Sequence, residues 1–385
     1  MGTVRDTPGV VLCVVGARPN YMKMGPLLRA FSARPGMPRA VLVHTGQHYD
    51  PMMNERLFID LELPRPDINL EVGSGTHAVQ TAEVMRRFEP VVDEYQPSCV
   101  VVVGDVNSTL ACTLVAAKKA VPVAHVEAGL RSYDRAMPEE INRVLTDQIA
   151  DLLYTTERAA QANLEREGIA AERIHFVGNV MIDSLHAHAK RALAPAETLA
   201  RAGAPSHLGY SSYGVVTLHR PSNVDHPDTL AECVDILCAV SEKLPLICAL
   251  HPRTLANIES FGLTPRLKGA ALVVLPPQGY LEMLGLMREA KLVITDSGGM
   301  QEETTALAVP CLTMRENTER PITVEQGTNT LVGRDRKRIL SLVDEILATG
   351  GKSGRVPELW DGHAAERIAR HLAGWIAERA AALHA

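Results

Sequence analysis

Apolar runs of strand length recur down this chain, each closed by a polar turn and followed by a helical pattern, and that rhythm restricts the fold more than any other feature. From Val10 the run "VVLCVVG" breaks at Gly16 and leads into "PNYMKMGPLLRAF", whose apolar spacing predicts a helix with Pro19 near its first turn. The unit recurs as "AVLVHTG", as "CVVVVGDVNSTLACTLVAAKK", as "VPVAHVEAG" before "MPEEINRVLTDQIADLL", and as "DLLYTTERAAQANLEREG". Strands that are apolar throughout and separated by helices predict parallel βαβ units with both sheet faces covered. A softer stretch rich in Ala, Gly, Pro and Ser, "AKRALAPAETLARAGAPSHLGYSSYG", precedes a second series with strands "VVTLHR", "PLICALHP", "ALVVLPP", "KLVITDSGG" and "PCLTMRE". The expected fold is α/β with two doubly wound Rossmann-like domains, which 385 residues accommodate at about 150 residues per domain. The boundary is expected near Gly178. Residues 1–177 with the amphipathic tail 367–385 would form the N-terminal domain, and 178–366 the C-terminal one.

A formal net charge of −6 offers no global attraction for nucleic acid or anionic membranes, so an anionic ligand must be held by local arginines and helix ends. The seven cysteines lie mostly inside apolar segments with no C-x-x-C pair, which fits reduced core thiols. The leader "MGTVRDTPG" has no apolar signal core, Asp6 stands where a myristoylation signal needs Ser or Thr, and no run reaches membrane-spanning length. A cytoplasmic protein is expected.

In open parallel sheets ligands bind beyond the carboxyl ends of the strands. Those ends are polar here: Arg18, His44, Asp105 and Glu127 in the first half, and His219-Arg220, His251 and Asp296-Ser297 in the second. In "PEEINRVLTDQIADLL" the residues Ile141, Val144, Leu145, Ile149 and Leu152 make one apolar stripe, with Glu139 and Arg143 four apart on another face. The plain reading of that pair is an exposed ion pair adding roughly 0.3 kcal/mol. Its nearness to Glu127 favours a functional one, since carboxylates that converge in a cleft can be driven to separate acid and base roles. In "ITDSGGMQEETTALAVP" Ser297 would cap a helix, while Gly298 and Gly299 would let a phosphate approach backbone N–H groups. Glu303, about one turn on, would take a ribose or merely complement the helix dipole. Arg18 and Lys23 flank the start of the first helix, where cations oppose the dipole unless an anion is shared; for Lys23 a surface position is the default. His219 and His251 are as consistent with structural hydrogen bonding as with ligand contact.

The loop "GARPN" is not G-x-G-x-x-G, there is no Walker A sequence, and no G-x-S-x-G elbow occurs. His44 and His48 in "HTGQH" lack a third ligand nearby. Chemistry without a cofactor or metal is expected.

With these segments in view, the chain resembles the non-hydrolysing UDP-N-acetylglucosamine 2-epimerases. The motifs, in family order, are "GARPNYMKMGPL", "HTGQHYD", "GDVNSTLA", "HVEAGLRS", "MPEEINR", "GNVMIDSL", "LHRPSN", "LHPRT", "ITDSGGMQEE" and "MRENTERPITVEQGT". The resemblance implies the two-domain GT-B architecture with a central cleft, and interconversion of UDP-GlcNAc and UDP-ManNAc through UDP elimination, 2-acetamidoglucal and re-addition. It implies that Asp105, Glu127 and Glu139 form the acidic catalytic group and that His219 is an acid or electrostatic partner of the departing diphosphate. Arg18, Ser297 and Gly298, with Gly299, would contact the diphosphate and Glu303 the ribose. Lys23 and Arg143 would be positioning charges beside the substrate, and Gln47 and His251 would belong to a second, regulatory nucleotide-sugar site. A homodimer serving cell-surface polysaccharide synthesis is the family's usual setting.

The chain departs from the common pattern in places. Met283 in "GYLEMLGLM" replaces an aromatic against uracil with a thioether contact. Ala136-Met137 replaces a Pro-Trp pair, and Pro221 an arginine. "SYDRAMPEEINR" and "GYLEMLGLM" also resemble relatives that epimerise a UDP-2,3-diacetamido-glucuronate, whereas "TERPITVEQGT" is closer to the UDP-GlcNAc enzymes. A retaining glycosyltransferase, a hydrolysing epimerase and a non-catalytic UDP-sugar-binding regulator remain as alternatives, the last disfavoured by the presence of all three acidic residues.

Overall fold

Valine-rich segments take the middle of a sheet that is covered on both sides, because β-branched side chains fit a pleated, buried surface. In the computed structural model of the chain, β4 (Cys99–Val103) is buried at every residue. The structure describes residues 9–47, 58–204 and 211–383. His48, Tyr49 and Asp50 of the "HTGQHYD" motif lie outside them, as does the side chain of Arg18.

Two compact units are present, Met1–Ala187 with Glu358–Ala385, and His188–Pro357. The first runs β1 (Val10–Val15), α1 (Arg18–Ala33), β2 (Arg39–His44), β3 (Ile68–Asn69), α2 (His77–Tyr95), β4, α3 (Asn107–Lys118), β5 (Val123–Ala128), α4 (Pro138–Ile149), β6 (Leu152–Thr155), α5 (Arg158–Arg166), β7 (Ile174–Phe176) and α6 (Val180–His188). Its seven-stranded sheet has the order β3-β2-β1-β4-β5-β6-β7, and its paired strands are parallel. The second runs α7 (Pro195–Arg201), β8 (Gly214–Thr217), α8 (Pro221–Val224), α9 (Pro227–Ser241), β9 (Leu246–Ala249), α10 (Pro252–Ser260), α11 (Thr264–Leu267), β10 (Leu272–Leu275), α12 (Tyr280–Glu289), β11 (Leu292–Thr295), α13 (Gly298–Leu307), β12 (Cys311–Thr313), α14 (Pro321–Glu325), β13 (Asn329–Leu331) and α15 (Arg336–Thr349). Its six-stranded sheet is ordered β10-β9-β8-β11-β12-β13, again with parallel pairs.

The last helix, α16 (Ala364–Leu383), returns to the first unit and packs on α1. The chain crosses over at Ala187 and comes back at Glu358, after Gly178 and before residue 367 respectively. The reason is local. Asp183 in α6 accepts from the backbone N–H of Ala364 (3.1 Å) and Ala365 (2.7 Å) at the start of α16. Ser184 donates to the Met22 carbonyl (2.6 Å) and Trp360 Nε1 to the Thr156 carbonyl (3.0 Å), tying both crossings to the first unit.

In each sheet the strand order reverses once, between β1 and β4 and between β8 and β11. Such reversals open the crevice in which doubly wound sheets bind ligands. Asp105 follows β4, His219 follows β8, and Asp296-Ser297 follow β11, so each unit carries its candidate residues at its own switch point. Among the described residues no helix is long and apolar enough to cross a membrane.

Candidate active site

Next to the switch point of the first unit, Glu127 lies near the end of β5 in a left-handed conformation, φ +73°. Such a backbone costs a non-glycine residue about 1–3 kcal/mol and persists only where the surroundings hold it. The register between β5 and β6 shifts between Val126 and Ala128, so Glu127 is the bulged residue and its side chain is re-aimed. It meets Lys23 of α1, whose ammonium lies 2.6 Å from Glu127 Oε1, and both side chains are buried. Gly104 sits between the elements with φ +67°. A side-chain carbon there would stand 2.9 Å from Lys23 Nζ and 3.8 Å from Glu127 Oε1, which is why glycine precedes Asp105.

Asp105 pairs with Arg143 of α4 through Oδ2 and Nη1. Arg143 also grips Glu140, with Nη2 at 2.6 Å and Nε at 2.9 Å from Oε2. Burial alone would raise the Glu140 carboxyl, but the Ser132 and Tyr133 N–H groups and Arg143 outweigh it and hold it below its ordinary value. Asn142 donates to the Asp105 carbonyl at 2.9 Å. One face of α4 thus fixes the loop after β4. That face inverts the expected helix: the buried residues are Glu140, Asn142, Arg143, Thr146 and Asp147, while Ile141 and Leu145 of the apolar stripe are 41% and 43% exposed. Hydropathy misleads because this polar face is satisfied by partners. Arg143 is not part of an exposed pair, and Lys23, 4% exposed, is not a surface lysine. Glu139 is half-buried at the second position of α4.

At the switch point of the second unit, Asp296 is fully buried and organises the loop after β8. It accepts from the N–H groups of His219 (3.0 Å) and Arg220 (2.9 Å), from Asn223 Nδ2 (3.1 Å), and from His219 Nδ1 at 2.9 Å. Burial favours its neutral form, yet His219, the Arg220 N–H and Asn223 together hold its carboxyl below the usual range. A carboxylate on Nδ1 orients the imidazole, which is 41% exposed, and does not engage Nε2.

Helix α13 starts immediately afterwards. Ser297 occupies the N-cap but its side chain makes no capping bond, contrary to expectation; its N–H donates to Thr295 Oγ1 at 3.0 Å. A side-chain carbon on Gly298 would fall 2.5 Å from Arg320 Nη1 and 2.6 Å from Glu319 Oε1, and Gly299 follows half-buried. Arg320 pairs with Glu319 and, at 3.0 Å, with Glu302, and Arg315 reaches Glu319 at 2.8 Å. Glu303 is buried on α13 beside Tyr280. Burial and that carboxylate push the Tyr280 phenol well above its ordinary value. Met283 is half-buried on α12, against the cluster of Leu199, Tyr213, Leu286 and Met287.

The structure brings Asp105, Glu127, Lys23 and Arg143 together with Glu139 nearby on α4, and gathers His219, Ser297 and Gly298 at one switch point. Gln47 is held apart as a structural anchor, its Oε1 accepting from the Ser108 N–H (3.1 Å) and hydroxyl (2.7 Å). His251 is exposed and caps α10, its Nδ1 accepting from the Arg253 N–H at 3.2 Å. Sequence reasoning missed Asp296 as the partner of His219, and also Glu140, Asp147, Arg315, Glu319 and Arg320. Buried acidic residues beside strand ends were the available signal.

Residues 30–373 match the family model described as UDP-N-acetylglucosamine 2-epimerase. The chain is 41% identical over 362 residues to UDP-N-acetylglucosamine 2-epimerase of Methanocaldococcus jannaschii, covering 93% of this chain and 97% of that one. It is 40% identical over 371 residues to UDP-2,3-diacetamido-2,3-dideoxy-D-glucuronate 2-epimerase of Pseudomonas aeruginosa, covering 94% and 99%. The crystal structure of the M. jannaschii UDP-GlcNAc 2-epimerase in complex with UDP-GlcNAc and UDP superimposes with a TM-score of 0.83 at 39% identity, over 94% of this chain and 99% of that one. Similarity of this extent, together with two parallel doubly wound sheets, shows that the chain belongs to the UDP-N-acetylglucosamine 2-epimerase family.

Proposed function

We propose that this chain interconverts UDP-GlcNAc and UDP-ManNAc without hydrolysis. The observation that carries this reading is the pair of ion-paired carboxylates at the ends of adjacent strands, Glu127 on Lys23 and Asp105 on Arg143. The C2 proton of the sugar is weakly acidic, so departure of the diphosphate must run ahead of its removal and build positive charge on the ring. Carboxylates beside an oxocarbenium-like centre stabilise that charge and take the proton. As the C1–O bond breaks, its electrons leave with UDP, and the C2–H pair forms the C1=C2 bond of 2-acetamidoglucal. Re-addition of UDP with a proton delivered to the opposite face of C2 completes the epimerisation.

Asp105, Glu127 and Glu139 form the acidic group in this account, with Lys23 and Arg143 holding two of them. His219, oriented by Asp296, faces the departing diphosphate. Arg18, Ser297, Gly298 and Gly299 bind it, Glu303 takes the ribose, and Met283 lies against the base. Gln47 and His251 would serve a second, regulatory nucleotide-sugar site, although each already has a structural task.

Incubating the protein with UDP-GlcNAc and following the products by NMR tests the reading: UDP-ManNAc should accumulate to equilibrium. Free ManNAc and UDP would indicate a hydrolase, and tight UDP binding without turnover a regulator. A second reading, epimerisation of a UDP-2,3-diacetamido-glucuronate, is supported by the 40% identical P. aeruginosa relative. The ratio of kcat/KM for the two sugars decides between them. We also place the protein in the cytoplasm, in the supply of activated sugar for cell-surface polysaccharide, and as a homodimer. The exposed apolar stripe of α4, with Val79 of α2 58% exposed, supports the dimer. Light scattering should give a two-chain mass that Ile141→Asp reduces to one.

A further inference from the structure

We propose that Asp147, acting through His125, is the positioning residue that locks Glu127 into its left-handed bulge; the inference rests on the reaction put forward above. Glu127 carries φ +73° at a register shift. The Asp147 carboxylate, fully buried, bonds to both sides of it: Oδ1 lies 2.6 Å from His125 Nδ1, two residues before, and Oδ2 accepts from the Gly129 N–H at 3.0 Å, two residues after. Arg131 closes the carboxylate at 2.7 Å and is itself held by Glu167 at 2.7 Å. On its other side the imidazole meets the Gly104 carbonyl, Nε2 to O 2.8 Å, next to Asp105.

A carbonyl only accepts, so Nε2 carries a hydrogen. Asp147 accepts from Gly129 and Arg131 on Oδ2, and although burial favours its neutral form, His125 and Arg131 hold its carboxyl below the ordinary range, so Oδ1 is anionic and Nδ1 donates to it. His125 is therefore an imidazolium, a rigid two-ended bolt between the loop that bears Asp105 and the anchor of the Glu127 bulge. Aliphatic side chains would bury this contact at less cost than a histidine, an aspartate and an arginine, and only the polar set fixes a direction. Helix α4 thus sets both carboxylates, Asp105 through Asn142 and Arg143, and Glu127 through Asp147.

Asp147→Ala removes both oxygens, leaves His125 Nδ1 and the Gly129 N–H without the acceptor that ties them together, and releases the bulge. The expected result is a kcat lower by about 100-fold with KM and UDP affinity within about threefold of wild type. In a Glu127→Gln background the same change should cost less than about threefold more, because its effect passes through Glu127. Unchanged kcat, or the full loss repeated in that background, would overturn the proposal. Should Asp147→Ala fail to fold, ¹⁵N-histidine NMR of the wild-type chain at neutral pH decides, the His125 signals being assigned by their loss in His125→Gln. Protons on both ring nitrogens are expected, and a bare ring nitrogen overturns the bolt. A wild-type chain that epimerises neither UDP-sugar would refute the proposed function instead, and the NMR outcome would still judge the geometry.

Discussion

Replacing Lys23 and Glu127 singly and together separates what their ion pair does for stability from what it does for chemistry. The ammonium lies 2.6 Å from the carboxylate with side chains 5% and 2% exposed. Lys23→Met leaves a buried carboxylate without its cation, and Glu127→Gln a buried ammonium without its anion. Breaking a buried pair from one side costs about 3–5 kcal/mol, whereas replacing both partners by neutral groups of similar volume is often close to neutral. For a unit of 150–250 residues each kcal/mol moves the melting temperature by about 2–4 °C. Each single variant should therefore lower the melting transition of the first unit by roughly 6–20 °C, and the double variant should recover most of it. Turnover should not recover: Glu127→Gln is expected to lose at least ~100-fold in kcat with UDP affinity nearly intact, and the double variant no less. Calorimetry and initial rates on the three proteins suffice. Single variants that melt within 1 °C of wild type, or a double variant that regains activity, would refute the reasoning.

Asp296→Asn should release His219 from its orientation and lower kcat/KM by roughly 100-fold, while Asn223→Ala, one bond further out, costs less; initial rates check both. Gly298→Ala places a carbon 2.5 Å from Arg320 Nη1, so KM for the UDP-sugar should rise about tenfold, read from saturation curves. Burial, then the neighbouring His371, push the His175 imidazole down to about 4, against about 6.5 in an unfolded chain. Between those values the unfolded state binds the extra proton, so stability from this group is complete above about pH 6.5 and declines as pH falls toward 4. Melting of the first unit should drop between pH 7 and pH 5, and His175→Asn should flatten that slope.

The strands were legible because each is an unbroken apolar run, and the strand-end residues followed from the architecture: Asp105, Glu127, His219 and Ser297 all sit beyond or at such ends. What sequence could not convey was partnership across distance. Lys23 reads as a surface lysine because nothing nearby in sequence announces that Glu127, a hundred residues away, will bury it. Helix α4 reads with its apolar stripe inward because hydropathy cannot register that Glu140, Arg143 and Asp147 are all satisfied by Ser132, Asp105 and His125. The left-handed backbone of Glu127 leaves no trace in residue type at all, since glycine would be the usual choice there. At Gly298 the sequence suggests room for a phosphate, whereas the neighbours that press on it, Arg320 and Glu319, lie some twenty residues further on and leave no local signal.

The central claim is that carboxylates at and next to the first switch point exchange a proton with C2 of a UDP-linked 2-acetamido sugar. Incubation with UDP-GlcNAc in D₂O, followed by NMR at C2, tests it most directly. Deuterium should enter C2 of both UDP-GlcNAc and newly formed UDP-ManNAc, and Glu127→Gln should slow that entry in step with turnover. Epimer formed with the original proton retained at C2 would contradict the account.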